Sequence, residues 1–151
     1  MVSEVLGIGR GNIRIVGSAA TGYSLSPLKP CRPFREASIL GEAQSDIDIA
    51  LIDPNLFTAV WDEIVARDRA RHLGGTDDTR DRIRFEIYHG LVGQQNIPRN
   101  TEPARVVLSA MSVAGRSPPL RGYRIRTRVY RRFEDLREYH VSSLRQLRAR
   151  L

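Results

Sequence analysis

Three amino acids occur only once each in the sequence of 151 residues: cysteine as Cys31, tryptophan as Trp61 and lysine as Lys29. A lone cysteine excludes an internal disulfide. No apolar run approaches the roughly 20 residues that a membrane-spanning helix needs. The first residues lack the basic and then apolar pattern of a secretory signal peptide. We therefore expect no membrane partner and a cytoplasmic location.

Hydrophobic residues at 41% and charged residues at 27% are typical of a globular protein, and the length fits one domain over residues 1–151. The net charge of +7 is unevenly placed. Residues 121–151 hold ten arginines against three acids, whereas the preceding residues hold 14 basic and 14 acidic side chains. An arginine-rich end suits a nucleic-acid partner, because guanidinium groups grip phosphate. Alternatively, these arginines solvate the outer face of a helix or strand.

Hydrophobic periodicity predicts the order of the secondary structure. Strands are expected over residues 12–16, 46–52, 82–88 and 123–130. One helix is expected to start near Ser18. Three further helices are expected over residues 55–72, 104–114 and 133–151, and Trp61 is expected in the core. The proline-containing residues 26–44 are expected to be a loop insertion with a helical turn near 34–40, and residues 76–81 a polar loop. The fold class is therefore α/β (α+β), a mixed sheet flanked by helices.

The stretch SDIDIALID, residues 45–53, combines a buried-strand pattern with two acids. Residues two apart on a strand point to the same face, about 6.6 Å apart, so Asp46 and Asp48 can converge on one point. Two like charges held there without compensation would be costly. A divalent cation such as Mg²⁺ removes this cost, since it binds carboxylate, phosphate and water oxygens together. Pairing with nearby arginines is the structural alternative.

A second feature lies upstream, in IVGSAATGYS, residues 15–24. Gly17 and Ser18 directly follow a predicted strand and precede a predicted helix. Glycine lets the backbone approach a ligand closely, and amides at a helix start favour phosphate. A strand, a Gly-Ser turn and a helix, followed by a strand with Asp-x-Asp, is therefore a pattern typical of phosphate chemistry.

These two motifs resemble the DNA polymerase β-type nucleotidyltransferase superfamily, especially its small bacterial members. The resemblance covers residues 13–52 and implies a nucleotidyltransferase-like fold. It implies that Gly17 and Ser18 bind the triphosphate of an incoming nucleotide, with ATP favoured. It also implies that Asp46 and Asp48 bind Mg²⁺ or Mn²⁺, while an NMP group passes to a hydroxyl of a protein, an RNA or a small molecule. The 27 residues between Ser18 and Asp46 exceed the usual spacer.

The family also implies a third carboxylate on a later strand. Chain order favours the predicted strand 82–88, whose acid is Glu86. Glu86 would then be a catalytic residue beside Asp46 and Asp48, or alternatively a surface acid paired with Arg82 or Arg84. If residues 123–130 occupy that place in the sheet instead, no acid is available and the site is incomplete.

Two functions follow. The first is Mg²⁺-dependent nucleotidyl transfer by a minimal enzyme that works as a homodimer or with a protein partner. The second is a catalytically incomplete module that binds nucleotide, nucleic acid or a protein. The resemblance implies a defence or toxin–antitoxin pair as an example, because small members of the family often occur in such pairs.

Overall fold

The structure is a computed structural model that describes residues 3–4, 7–36, 44–70, 76–118 and 120–150. Its strands are β1 (Ile13–Val16), β2 (Ile47–Ile52), β3 (Leu91–Gly93) and β4 (Ile125–Tyr130). Its helices are α1 (Ser18–Thr21), α2 (Pro54–Arg69), α3 (Asp77–Tyr88), α4 (Glu102–Arg116) and α5 (Phe133–Arg148). Short 3-10 helices cover Arg10–Asn12 and Gln94–Asn96.

The four strands form one mixed sheet in the order β1-β2-β4-β3. β1 runs antiparallel to β2, β4 runs parallel to β2, and β3 runs antiparallel to β4. The predicted class, a mixed sheet flanked by helices, is confirmed. The strand beside β2 is β4, which is the alternative occupant that the sequence allowed for the place next to Asp46 and Asp48.

The sheet packs helices on both faces. Because side chains alternate along a strand, Ile47, Ile49 and Leu51 of β2 point to one face, where they join the core formed with α2, α3 and α4. Ala50 and Ile52 point to the other face, where they form a smaller cluster with α5. Asp46 and Asp48 belong to this second face by the same alternation.

Helix α2 begins where the sequence predicts. The Asp53 side chain accepts a hydrogen bond from the Leu56 amide at 2.8 Å, and Pro54 occupies the first turn, where its missing N–H costs nothing. The described part of the helix ends at Arg69, and residues 71–75 lie outside the described residues. Trp61 is 40% exposed, so its expected place in the core is wrong.

The prediction of a polar loop over residues 76–81 and a strand over residues 82–88 is wrong. Residues 77–88 form helix α3, and Thr76 is its N-cap residue. The Thr76 hydroxyl caps the helix by accepting from the Thr79 amide, and acids in the first turn suit the positive end of the helix dipole. The buried side chains are Ile83 and Glu86, three residues apart, whereas Phe85 is 56% exposed. The burial period is therefore helical, although the apolar letters alternate.

Two further helices and one further strand of the prediction are confirmed, and one strand was not predicted. α4 and α5 match the predicted helices, and β4 alternates as expected, with Ile125, Thr127 and Val129 buried. β3 lies in a stretch that the sequence predicts to be irregular. The helical turn expected near residues 34–40 falls partly on residues 37–43, outside the described residues. Within the described chain, every helix is too short or too polar to cross a bilayer.

Candidate functional site

Asp46 is held between two arginines: Arg126 of the neighbouring strand β4, and Arg124, which directly precedes that strand. The Arg124 guanidinium donates to both carboxylate oxygens, from Nε to Oδ1 and from Nη2 to Oδ2 at 3.1 Å. Arg126 Nε lies 2.8 Å from Asp46 Oδ2. The hydrogen bond from Arg124 is the main cause that lowers the pKa of the Asp46 carboxyl, so this group is ionised at neutral pH. The side chain of Asp46 is only 17% exposed, whereas both arginines are mostly exposed.

Asp48 lies deeper in the same face. Burial raises the pKa of its carboxyl, although the positive charges of Arg128 and Arg126 oppose this rise. In the parallel register Asp48 stands beside Arg126, and Ala50 stands beside Arg128. Asp48 of β2 and Asp46, which precedes this strand, are therefore matched by three arginines on the same face: Arg126 and Arg128 of β4, and Arg124, which precedes β4.

The Gly17 turn lies against Asp48. β1 places Val16 in register with Asp48, and Gly17 follows with φ 66° and ψ −150°, a conformation that non-glycine residues avoid. A Cβ on Gly17 would lie 3.0 Å from Asp48 Oδ2. Ser18 opens the four-residue helix α1. The structure thus brings together four of the five predicted site residues: Gly17, Ser18, Asp46 and Asp48.

Glu86, the fifth predicted site residue, lies elsewhere. Its carboxylate accepts hydrogen bonds from the Gly93 amide at 2.9 Å and from Asn96 Nδ2 at 2.7 Å, both to Oε2. Ile83, one turn earlier on α3, packs in the core on the face opposite to Asp46 and Asp48. Glu86 thus joins α3 to the end of β3 and the 3-10 helix after it, and the strand expected to carry it to the other two acids does not exist.

The donor set bears on whether Mg²⁺ fits. Within the described ranges, no group of three or more His, Cys, Asp or Glu side chains is placed to hold a metal ion. Asp46 already binds two guanidinium groups, and a cation between the acids would meet the positive charge of Arg126 and Arg128. These contacts and charges therefore do not fit a pair of metal ions. Magnesium binding by Asp46 and Asp48 stays a prediction.

Three further polar residues line the same face, and the sequence did not single them out for it. Arg128 lies with its Cζ 5.4 Å from the centroid of the Tyr139 ring. Tyr130 is fully buried beside it, and burial raises the pKa of its hydroxyl. His140 of α5 was expected to serve packing, and burial together with Arg128 lowers the pKa of its imidazole. The sequence signal that could have pointed to these residues is the alternation of arginines in β4. This alternation does not show which strand lies next to β4, so it does not predict which residues face the arginines.

The arginine-rich residues 121–151 do not form one surface. Arg124, Arg126 and Arg128 face the acids of β2. Arg131 and Arg132 instead pair with the buried Asp135 at the start of α5, at 3.1 and 3.5 Å. The arginines on the outside of α5 are exposed, namely Arg137, Arg145 and Arg148. Only this last group fits the simple picture of arginines on an outer helical face.

Comparison of the chain with protein-family models, with curated proteins and with solved structures found no match.

Proposed function

We propose that the chain is a nucleotidyltransferase-like module that binds the phosphate groups of a nucleotide, with ATP as the favoured ligand. The phosphate groups are bound by arginine side chains and not by a two-metal centre. The observation that carries this proposal is the register of β2 and β4. Arg126 stands beside Asp48, at the place where the resemblance asks for a third carboxylate. An arginine there changes the sign of the charge that the site offers to a ligand.

The charges support an anionic ligand. Three guanidinium groups and two carboxylates share one face of the sheet, so positive charge is in excess by one. Guanidinium groups bind phosphate oxygens in pairs, with hydrogen bonds roughly twice as strong as neutral ones. Arg124 and Arg126 are also mostly exposed, which leaves part of their donor groups free to meet a ligand from solvent.

Mg²⁺-dependent nucleotidyl transfer is the second candidate function. It is favoured by the two acids on one face of β2 and by the close approach of Gly17 to Asp48. For metal ions to bind, Arg124 and Arg126 would have to leave Asp46. The acceptor in this function would be a hydroxyl of a protein, an RNA or a small molecule.

Calorimetric titration with ATP, in EDTA and in Mg²⁺, separates the two functions. An arginine-based module binds ATP in EDTA and loses most of this binding in Arg126→Gln. A matched control is Arg105→Gln, because Arg105 is an exposed arginine paired with Glu102 on α4, away from this face. The control should bind ATP like the wild type.

The opposite pattern would support the enzyme. ATP binding only in Mg²⁺, abolished by Asp46→Ala and by Asp48→Ala, together with transfer of label from α-labelled ATP, would replace the proposal. Equal ATP binding by the wild type and by Arg126→Gln in EDTA would also count against the role of arginine.

A further inference from the structure

A groove runs along helix α2, on the side of the sheet opposite to α5. It has a volume of about 790 Å³, within the range of about 300–1,000 Å³ that is usual for ligand sites in proteins. Along α2 its lining residues run from Asn55 to Ala66, a length of about 16 Å at 1.5 Å per residue. The apolar part of the lining comes from Ile8, from α2 and from the start of α4, and includes Leu56, Ala59, Pro103 and Val106. The groove is therefore about as long as three turns of a helix.

The charged residues of this groove are acids. In the described part of the chain, four acids and no basic residue line it: Asp53, Asp62, Glu63 and Glu102. Asp53 caps α2, and Glu102 pairs with Arg105 at 2.6 Å. Within the described ranges, Asp62 and Glu63 form no ion pair. Four acids against Arg105 leave three negative charges in excess, although the whole chain carries +7. The groove therefore suits a ligand that is both apolar and positively charged.

Helix α5 carries an exposed row of side chains with the matching chemistry. Phe133, Val141 and Leu144 are 53%, 37% and 44% exposed, and Arg137 and Arg148 are exposed as well. These five residues, the α5 row, follow one another at intervals of three or four. At 3.6 residues per turn they lie within a sector of about 80°, and the row is about 22 Å long. Large apolar side chains grouped on one exposed surface are typical of an interaction site.

The groove and the α5 row do not meet within one copy, because α2 and α4 pack on one face of the sheet and α5 packs on the other. We propose that the groove of one copy binds the α5 row of a second copy. The apolar side chains of the row pack on the apolar lining, and its two arginines meet the acids of the groove. A helix that lies in a groove with contact residues three and four apart is a common mode of recognition.

The two surfaces differ, so each copy can bind one neighbour through its groove and another through its α5 row. Contacts of this head-to-tail kind generate closed rings or open chains of copies. The inference does not rest on the proposed function, because neither surface includes the acids or the arginines assigned to nucleotide binding.

Sedimentation velocity at rising protein concentration tests the contact. The wild type should associate more as its concentration rises and less at high salt, which screens the charges. Combining Arg137→Glu with Arg148→Glu, the row variant, should raise the dissociation constant at least about tenfold, since like charges then face each other. Arg84→Glu is the matched control, because it reverses an exposed arginine on α3, outside both surfaces.

Two groove variants complete the set. Ala59→Trp fills the groove, and it should weaken association to a similar degree. Asp62→Lys combined with Glu63→Lys should do the same by charge alone, and it serves if the tryptophan disturbs α2. Thermal unfolding of each variant shows that the fold is kept.

A mixture of two variants gives the sharpest readout. The row variant keeps its groove, and Ala59→Trp keeps its α5 row, so each retains the surface that the other has lost. Each should be monomeric alone, and the mixture should form a one-to-one dimer and nothing larger. The dimer stops growing because its remaining row and its remaining groove are the altered ones.

Four outcomes would overturn the inference. One is a wild type that stays monomeric at every concentration at which it is soluble. Another is association that is equal in the wild type, the row variant and the groove variants. A third is association that the row variant loses but both groove variants keep, which would place the partner surface of α5 elsewhere. The last is a mixture of monomeric row and groove variants that does not associate.

Discussion

Asp48 of β2 stands in register with Arg126 of β4, but the Arg126 guanidinium reaches back to Asp46, 2.8 Å away. Asp46 consequently has two arginine partners, since Arg124 binds it as well, and Asp48 is left as the more buried acid with an unfavourable charge. The two acids look alike in SDIDIALID, yet their environments push their pKa values in opposite directions. Their effects on stability should therefore have opposite signs.

Asp46→Asn should lower the free energy of unfolding at neutral pH by about 0.5–1 kcal/mol, because the ion pairs with Arg124 and Arg126 are lost. The loss is small because both arginines are mostly exposed and solvent screens their charges. The pKa of Asp46 is lower in the folded state, so its contribution is present above the unfolded pKa and disappears as the pH falls through the folded value. Urea unfolding at neutral and acidic pH measures the difference. Asp81→Asn, which breaks an exposed pair with Arg84, is the control and should change little.

Asp48→Asn should do the reverse and raise the free energy of unfolding at neutral pH. The pKa of Asp48 is raised in the folded state, so folding favours the protonated carboxyl over the ionised one relative to the unfolded chain. Its stabilising contribution is complete below the unfolded pKa and is lost as the pH rises through the folded value. The gain from asparagine should thus shrink as the solution is acidified. A loss of stability at neutral pH would mean that the ionised Asp48 has a strong partner.

Much of the fold could be predicted because local signals agree with tertiary burial. In α2 the Asp53-Pro54 start and the apolar residues Phe57, Val60 and Ile64 all indicate a helix, and the helix is there. Residues 76–88 fail because two periods fit the same letters. Ile83, Phe85 and Ile87 alternate as in a strand, but Thr76 and the acids after it are a helix-start signal, and that signal is the one the structure follows.

The candidate site could be predicted only in part. Strand alternation places Asp46 and Asp48 on one face, because it is a local property, whereas Gly17 lies beside Asp48 only through the pairing of β1 with β2. The partners of the acids depend on strand order, which no local pattern encodes. Arg124 and Asp46 are 78 residues apart in the sequence, and only the parallel pairing of β2 with β4 brings them together.

Glu86 offers a test between a structural and a catalytic role. Glu86→Ala should lower the free energy of unfolding by about 1–3 kcal/mol, because the Gly93 amide and the Asn96 side chain lose their acceptor inside the protein. Glu86→Gln keeps one acceptor oxygen and should lose less. A catalytic Glu86 would show the contrary: Glu86→Gln with full stability, normal ATP binding and no nucleotidyl transfer.

Nucleic-acid binding through the arginine-rich end is best tested on α5. Charge reversal of Arg124 or Arg126 would break the pairs with Asp46, so a loss of binding there could reflect a damaged sheet. Arg137→Glu combined with Arg148→Glu changes only exposed positions. If α5 contacts phosphates, affinity for RNA or DNA and its salt dependence should both fall. Unchanged affinity in gel-shift titrations at two salt concentrations would contradict this role.

Gly17→Ala tests the contact that links the Gly-Ser turn to the acids. The backbone at Gly17 has φ 66° and ψ −150°, and a new Cβ would meet Asp48 Oδ2 at 3.0 Å. The variant should lose about 1–3 kcal/mol of stability from backbone strain. The matched control is Gly9→Ala, because Gly9 has φ −56° and open space around the position of a Cβ. The double variant Gly17→Ala, Asp48→Ala separates the two causes. If the contact with Asp48 matters, the double variant should recover part of the stability, whereas a loss due to strain alone would leave it as unstable as Gly17→Ala.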